Sequence, residues 1–170
     1  MGFLNNFSVQ FIINPPPPQG TTVSLKLDPM PLAKMGLNIP VEVSTAEVFL
    51  KQPNPTPLSS ITVMAHFDTG ASNTSIDINL AKHLSLIPIG ESIKSTAGGP
   101  QKTPDFYIDL GFPGTGLRPF QNLKIGSCTL PFNLSNGVSP INFGILIGRD
   151  IMSRWNIVWN GPSSTVFISD

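Results

Sequence analysis

"MAHFDTGASNTSID", Met64 to Asp77, is the stretch on which the reading of this chain turns. A β-rich run, Ile61–Phe67, climbs into Asp68-Thr69-Gly70-Ala71, and small polar residues follow. An apolar strand that ends abruptly in a tight turn holds the side chain at its end in a fixed place. A carboxylate set there is positioned to act on water. Acid–base work on a peptide bond needs two such groups, one giving a proton and one taking it. The chain has one Asp-Thr-Gly.

Downstream of the turn, Ser75–Leu86 carries Ile76, Leu80, Ala81 and Leu84 at helical spacing, with Asp77 placed to cap the helix. A second short helix is expected near Asp150–Trp155. The remaining pattern is β. Strands are expected over Val41–Leu50, Asp105–Phe112, Phe120–Leu134 and Ile145–Ile147. A hairpin should pair Ile157–Trp159 with Thr165–Ile168 across an Asn-Gly turn. Ser95–Gln101 is a glycine-rich hairpin tip, and Pro53–Pro57 reads as a loop. Strand, tight turn and short helix occur twice, at "MAHFDTGA…LAKHL" and at "GILIGRDIMSRW", which suggests a two-part architecture.

Towards the N-terminus, Phe7, Val9, Phe11 and Ile13 alternate as in a strand, and Val23, Leu25 and Leu27 do the same. Between them stands "NPPPPQG", Asn14–Gly20, whose four prolines make a stiff extended spacer. Residues 1–20 are therefore expected to be an arm, and residues 21–170 the domain.

Composition narrows the class. The 170 residues suit one domain that buries roughly 70 % of its unfolded surface. Charged residues make up 12 %, about half the ~25 % usual in a globular domain. With 18 prolines and 15 glycines, a turn-rich, all-β chain is the expected class. Ten basic residues balance ten acidic ones, so nothing points to nucleic acid or an anionic membrane as partner. Cys128 is the single cysteine, which rules out an intrachain disulfide. The N-terminus lacks the basic and apolar regions of a signal peptide, and Asn6 stands where a myristoylation motif wants Ser or Thr. No apolar run reaches the ~20 residues needed to span a bilayer. A soluble, cytoplasmic protein is expected, with its three glycosylation sequons as chance matches.

Alone, an Asp-Thr-Gly is weak evidence; its setting sharpens it. "DTGAS", then "STAGG", then "ILIGRDIM" occur in an order that resembles the retropepsins, single-domain aspartic proteases of retroviruses and their bacterial and retroelement relatives. The resemblance covers about residues 40–170. It implies a small acid-protease barrel, all-β with one or two short helices, that works as a homodimer on peptide or protein substrates. No cofactor and no metal are implied. Asp68, Thr69 and Gly70 would form the catalytic turn, with Ala71, Gly98 and Gly99 as cleft and flap residues, and Arg149 as structural support. The partner carboxylate would come from a second chain, because Asp109 lacks the following Thr and Asp150 sits in a helix start. Retroviral members pair the Gly-Arg arginine with an Asp just after "DTGA". Here Ser72 and Asn73 stand instead, so Arg149 needs another acceptor.

The plainer readings stand beside these. Asp68 could simply cap its own turn, Gly98–Gly99 could be an ordinary hairpin tip, and the chain could be a retropepsin-fold binding or dimerisation module without turnover. His66, His83 and Cys128 have no metal-ligand spacing. "GFPGTG" (Gly111–Gly116) misses the phosphate-loop order and reads as a loop, and Trp155 and Trp159 are expected in the core.

Overall fold

A computed structural model describes residues 6–10, 36–50, 60–96, 99–137, 142–160 and 165–170. The polyproline segment, the alternating run at 22–28, the loop at 53–57 and Gly98 lie outside the described residues. In chain order the elements are β1 (Asn6–Gln10), β2 (Asn38–Thr45), α1 (Glu47–Leu50), β3 (Ser60–Phe67), β4 (Ser75–Asp77) and α2 (Ile78–His83). Then come β5 (Gly90–Thr96), β6 (Gly99–Gly111), β7 (Phe120–Cys128), a 3-10 turn (Leu134–Asn136) and β8 (Phe143–Ile147). The chain continues with α3 (Arg149–Met152), β9 (Asn156–Asn160) and β10 (Thr165–Ser169).

The fold is all-β with short helices, as expected. Strands run in the order β2-β3-β8-β4-β7-β6, and β6 pairs again with β2, which closes a six-stranded barrel. β5 hangs outside the closed ring, folded back on β6 as a long hairpin. Alternation fills the interior. On β2, Ile39, Val41 and Val43 point inward and are fully buried, while Pro40 and Glu42 face out. Ile76, Ile108, Leu110, Ile145 and Ile147 meet them without exposure, each stabilising by about 1.5–3 kcal/mol. At one end, Trp155 packs on Phe67, Phe112 and Phe120, with ring centroids 5.2–6.1 Å away.

β3 and β8 lie side by side and parallel, with Phe67 opposite Ile147. The two strand–turn–helix units thus bring their turns together at one end of the barrel.

Several boundaries differ from expectation. The run Val41–Leu50 is not one strand: it breaks after Thr45 into α1. Asp109 and Asn122 side chains take the N–H groups of Glu47 and Val48, and this distant capping holds the helical turn. The helix over Ser75–Leu86 begins only at Ile78, because Ser75–Asp77 is drawn into the sheet between β7 and β8. Asp77 caps it as expected, accepting from Asn79 N at 2.8 Å and Leu80 N at 3.3 Å. The strand expected to reach Leu134 ends at Cys128. Leu130 N donates to the Asp77 carboxylate instead, and Pro131 has no N–H to offer a neighbour.

Asn6–Gln10 pairs antiparallel with β10 along its whole length, Phe7 opposite Ile168. β10 also pairs with β9 as the expected hairpin, Trp159 opposite Val166, and residues 161–164 between them lie outside the described residues. Trp155 is in the core, but Trp159 is 51 % exposed on this three-stranded sheet.

Candidate active site

β3 ends where the Asp68 N–H donates to Ile147 O of β8 at 3.0 Å, so the parallel ladder carries the turn. Inside the turn, Gly70 N donates to Asp68 Oδ1 at 2.7 Å and Ala71 N to Asp68 O at 3.1 Å. A Cβ on Gly70 would stand 3.0 Å from Oδ1, so glycine permits this close approach. One carboxylate oxygen is therefore held and oriented. Oδ2 accepts no hydrogen bond from the described residues, and Asp68 is half-buried.

The turn is pinned from the second strand–turn–helix unit. Arg149 donates through Nη1 to Thr69 O at 2.8 Å and through Nη2 to Ser72 Oγ at 2.9 Å, and its own N–H reaches Ala71 O at 3.0 Å. The acceptor missing from the sequence pattern is thus a backbone carbonyl plus a hydroxyl. Deeper, the Thr74 hydroxyl donates to Asp150 Oδ1 at 2.8 Å and accepts from Gly148 N at 3.1 Å. Asp150 also takes the N–H groups of Thr74 and Ile151. Gly148 presses against this loop: a Cβ there would lie 2.7 Å from Asn73 O and 2.8 Å from Thr74 N. Residues 68–74 are clasped from both ends.

These bonds also account for the other carboxylates near the barrel end. Asp150 is committed to the Thr74 clasp, and Asp109 accepts from Asn122 N at 2.6 Å and Glu47 N at 3.2 Å. Both are structural acceptors. Among the described residues, no group of three His, Cys, Asp or Glu side chains gathers as a metal would require.

A cleft of about 800 Å³ opens beside the turn. Its floor is Asp68 and Gly70–Ser75, and β5 and β7 supply Lys94, Gly126 and Cys128. Ala71 lines it; Thr69 is exposed at its rim and Arg149 lies behind the turn. Gly99 begins β6 opposite Thr96, with a φ of +99° that an L side chain rarely adopts. The structure thus gathers Asp68, Thr69, Gly70, Ala71 and Arg149 at one spot, with Gly99 at the hairpin's far end.

Three groups near the Asp68 turn were given no part in the site from the sequence: His66, and Lys94 and Cys128 in the cleft lining. His66, two residues before Asp68, stacks on Phe143 at 4.9 Å, and its Nδ1 lies 2.9 Å from Asn38 Oδ1. Burial lowers its pKa, and the Asp68 charge opposes that only in part. Lys94 donates to Ser75 Oγ at 2.6 Å, and burial lowers its pKa, with Cys128, Asp105 and Asp150 acting the other way. Burial raises the Cys128 thiol, against the pull of Lys94. The alternation of β5, which puts Ser92 and Lys94 on one face and Ile93 on the other, was the available signal for Lys94.

No family model matches the chain, and no curated protein matches it. Among solved structures, it is similar to a retropepsin-like aspartic protease from Rickettsia conorii. The two share 13 % identity and a TM-score of 0.40, over 78 % of this chain and 90 % of that one. Among the described residues no helix is long and apolar enough to cross a membrane.

Proposed function

We propose that two copies of this chain form an aspartic endopeptidase, each contributing Asp68 to one active site. The observation that carries the reading is the Asp68 turn. One oxygen is fixed by Gly70 N, the other is left open, and the turn sits at the floor of a cleft flanked by a long hairpin. No second carboxylate of the described chain is available to it, since Asp105, Asp109 and Asp150 are engaged elsewhere. A two-fold dimer supplies the missing partner by repeating the same turn across the axis. Two carboxylates that close cannot both ionise, so they share one proton. One gives a proton to the scissile carbonyl while the other takes one from the water between them. Thr69, exposed at the rim, is the residue whose hydroxyl would grip the opposite turn. The substrate would lie extended beneath the β5–β6 hairpin and add as a strand. Val158 and Phe167, opposite each other on β9 and β10 and each at least 50 % exposed, offer apolar surface for the second copy.

The second reading, a binding or dimerisation module without turnover, draws on the same Asp68–Gly70 bond, which a purely structural turn also makes. One experiment separates them. Wild type and Asp68→Asn are incubated with a peptide library over a series of protein concentrations. Cleavage should vanish in the folded variant, and specific activity should fall as wild type is diluted below its dimer Kd. Cleavage that survives in Asp68→Asn, or concentration-independent activity from a species of monomer size, would sink the proposal.

A further inference from the structure

We propose that Lys94 makes the cleft beside Asp68 a carboxylate-binding subsite, which selects peptides with a Glu or Asp side chain at one position near the scissile bond. The inference deepens the protease reading and rests on it for the words "scissile bond" alone.

Lys94 projects from β5 on the same face as Ser92 and lines the cleft. Its ammonium lies over Gly126 of β7, where a Cβ would stand 2.6 Å from Nζ. Only glycine leaves room for it there. An ammonium carries three donors, and Ser75 Oγ, a neutral hydroxyl, accepts one of them. The acids in range are already spent. Asp105 receives Ser92 Oγ at 2.7 Å on Oδ1 and Lys124 at 3.2 Å on Oδ2. Asp150 receives Thr74 N, Thr74 Oγ1 and Ile151 N. Among the described residues no carboxylate comes within ion-pair distance of Lys94, although Asp105 and Asp150 lie near enough to raise its pKa.

A cation kept partly from water with no carboxylate in direct contact gains from one that binds it. The carboxylate of a bound side chain supplies it, and the two unused N–H groups give charge-assisted bonds to its oxygens. An amide or an alkyl group in this place would leave the ammonium as it was. A basic side chain would be repelled.

The test uses short N-acetylated, C-terminally amidated peptides, so that a side chain is the only carboxylate offered. Glu and Gln are exchanged at each position in turn, and kcat/KM is measured for wild type, Lys94→Met and Lys94→Glu. Wild type should prefer Glu over Gln at one position by about tenfold or more, the size of one hydrogen bond to a charged group. Lys94→Met should bring that ratio close to one, and Lys94→Glu should favour Lys at the same position. Gly126→Ala, which retains the lysine but fills its seat, should also lower the ratio, and decides the matter if Lys94→Met fails to fold. A wild-type ratio near one everywhere, or a ratio unmoved in these variants, overturns the subsite while cleavage itself stands. If no peptide is cut, the protease reading fails separately. Fluorescence anisotropy of the same peptides then reads the subsite: tighter binding of the Glu peptide that Lys94→Met abolishes supports it, and equal or absent binding overturns it.

Discussion

Replacing Thr74 by Val should cost this protein about 3 kcal/mol, far more than the loss of a hydroxyl on a strand usually does. Thr74 is 1 % exposed, and its single hydroxyl serves two partners, donating to Asp150 Oδ1 at 2.8 Å and accepting from Gly148 N at 3.1 Å. Val has almost the same shape, so no cavity opens and packing is spared. What changes is hydrogen bonding. Gly148 N–H becomes a buried donor without an acceptor, which costs about 1–3 kcal/mol. Asp150 loses one bond to a charged acceptor, worth about 1.5–3 kcal/mol, but keeps the N–H groups of Thr74 and Ile151, so the lower end applies. The sum is a large part of a typical 5–15 kcal/mol stability. Thr74→Ser is the control: it keeps both bonds and loses one buried methyl, about 1 kcal/mol. The assay is urea unfolding followed by tryptophan fluorescence. Protein concentration is held fixed, since association would shift the midpoint. If Thr74→Val lies within about 0.5 kcal/mol of Thr74→Ser, the double use of the hydroxyl is not what holds the loop.

Gly148→Ala should destabilise by about 2 kcal/mol or more, because the added Cβ meets backbone atoms of Asn73 and Thr74 that cannot swing aside; wild-type stability in the same urea assay would show that the loop is not pressed there. Stability should also fall on acidification through His66. Its folded pKa is below the ordinary 6.5, so the unfolded chain binds the proton first, and the contribution is complete above about 6.5 and lost as pH drops below it. His66→Phe should flatten that part of the curve between pH 8 and pH 5, and an unchanged slope would assign it to other groups. Deleting residues 1–10 should lower Tm by about 3 °C or more, since it strips a five-residue pairing from β10; an unaltered melt by circular dichroism would return that segment to the status of a dispensable arm.

Local signals were legible wherever neighbours along the chain decided the outcome. The β-rich run leading to Phe67 and the tight turn at Asp68 need only strand-forming and small residues, and the structure has both. Asp77 caps its helix because the two N–H groups it serves are two and three residues away. Where a distant partner intervened, the local pattern misled. Glu47–Leu50 looks like a continuation of a strand, yet Asp109 and Asn122 turn it into a helix from across the sheet. Trp159 reads as core by its hydrophobicity, but the sheet it joins leaves it half exposed.

By itself the sequence determined the composition of the site: a lone Asp-Thr-Gly at a strand end, a Gly-Arg-Asp ahead of a short helix, and alternating strands to build a barrel around them. Those features depend on residues a few positions apart, and backbone sterics and burial period act at that range. Only the tertiary structure decided that Arg149 holds Thr69 and Ser72, that Thr74 bridges Gly148 and Asp150, and that Lys94 lies over Gly126. Arg149 and Thr74 reach partners more than 70 residues away, and the seat of Lys94 lies across two strands of the sheet. The physical reason is closure. Until β2 meets β6 and β3 lies beside β8, nothing along the chain says which hydroxyl, carbonyl or glycine will stand within 3 Å of which charge.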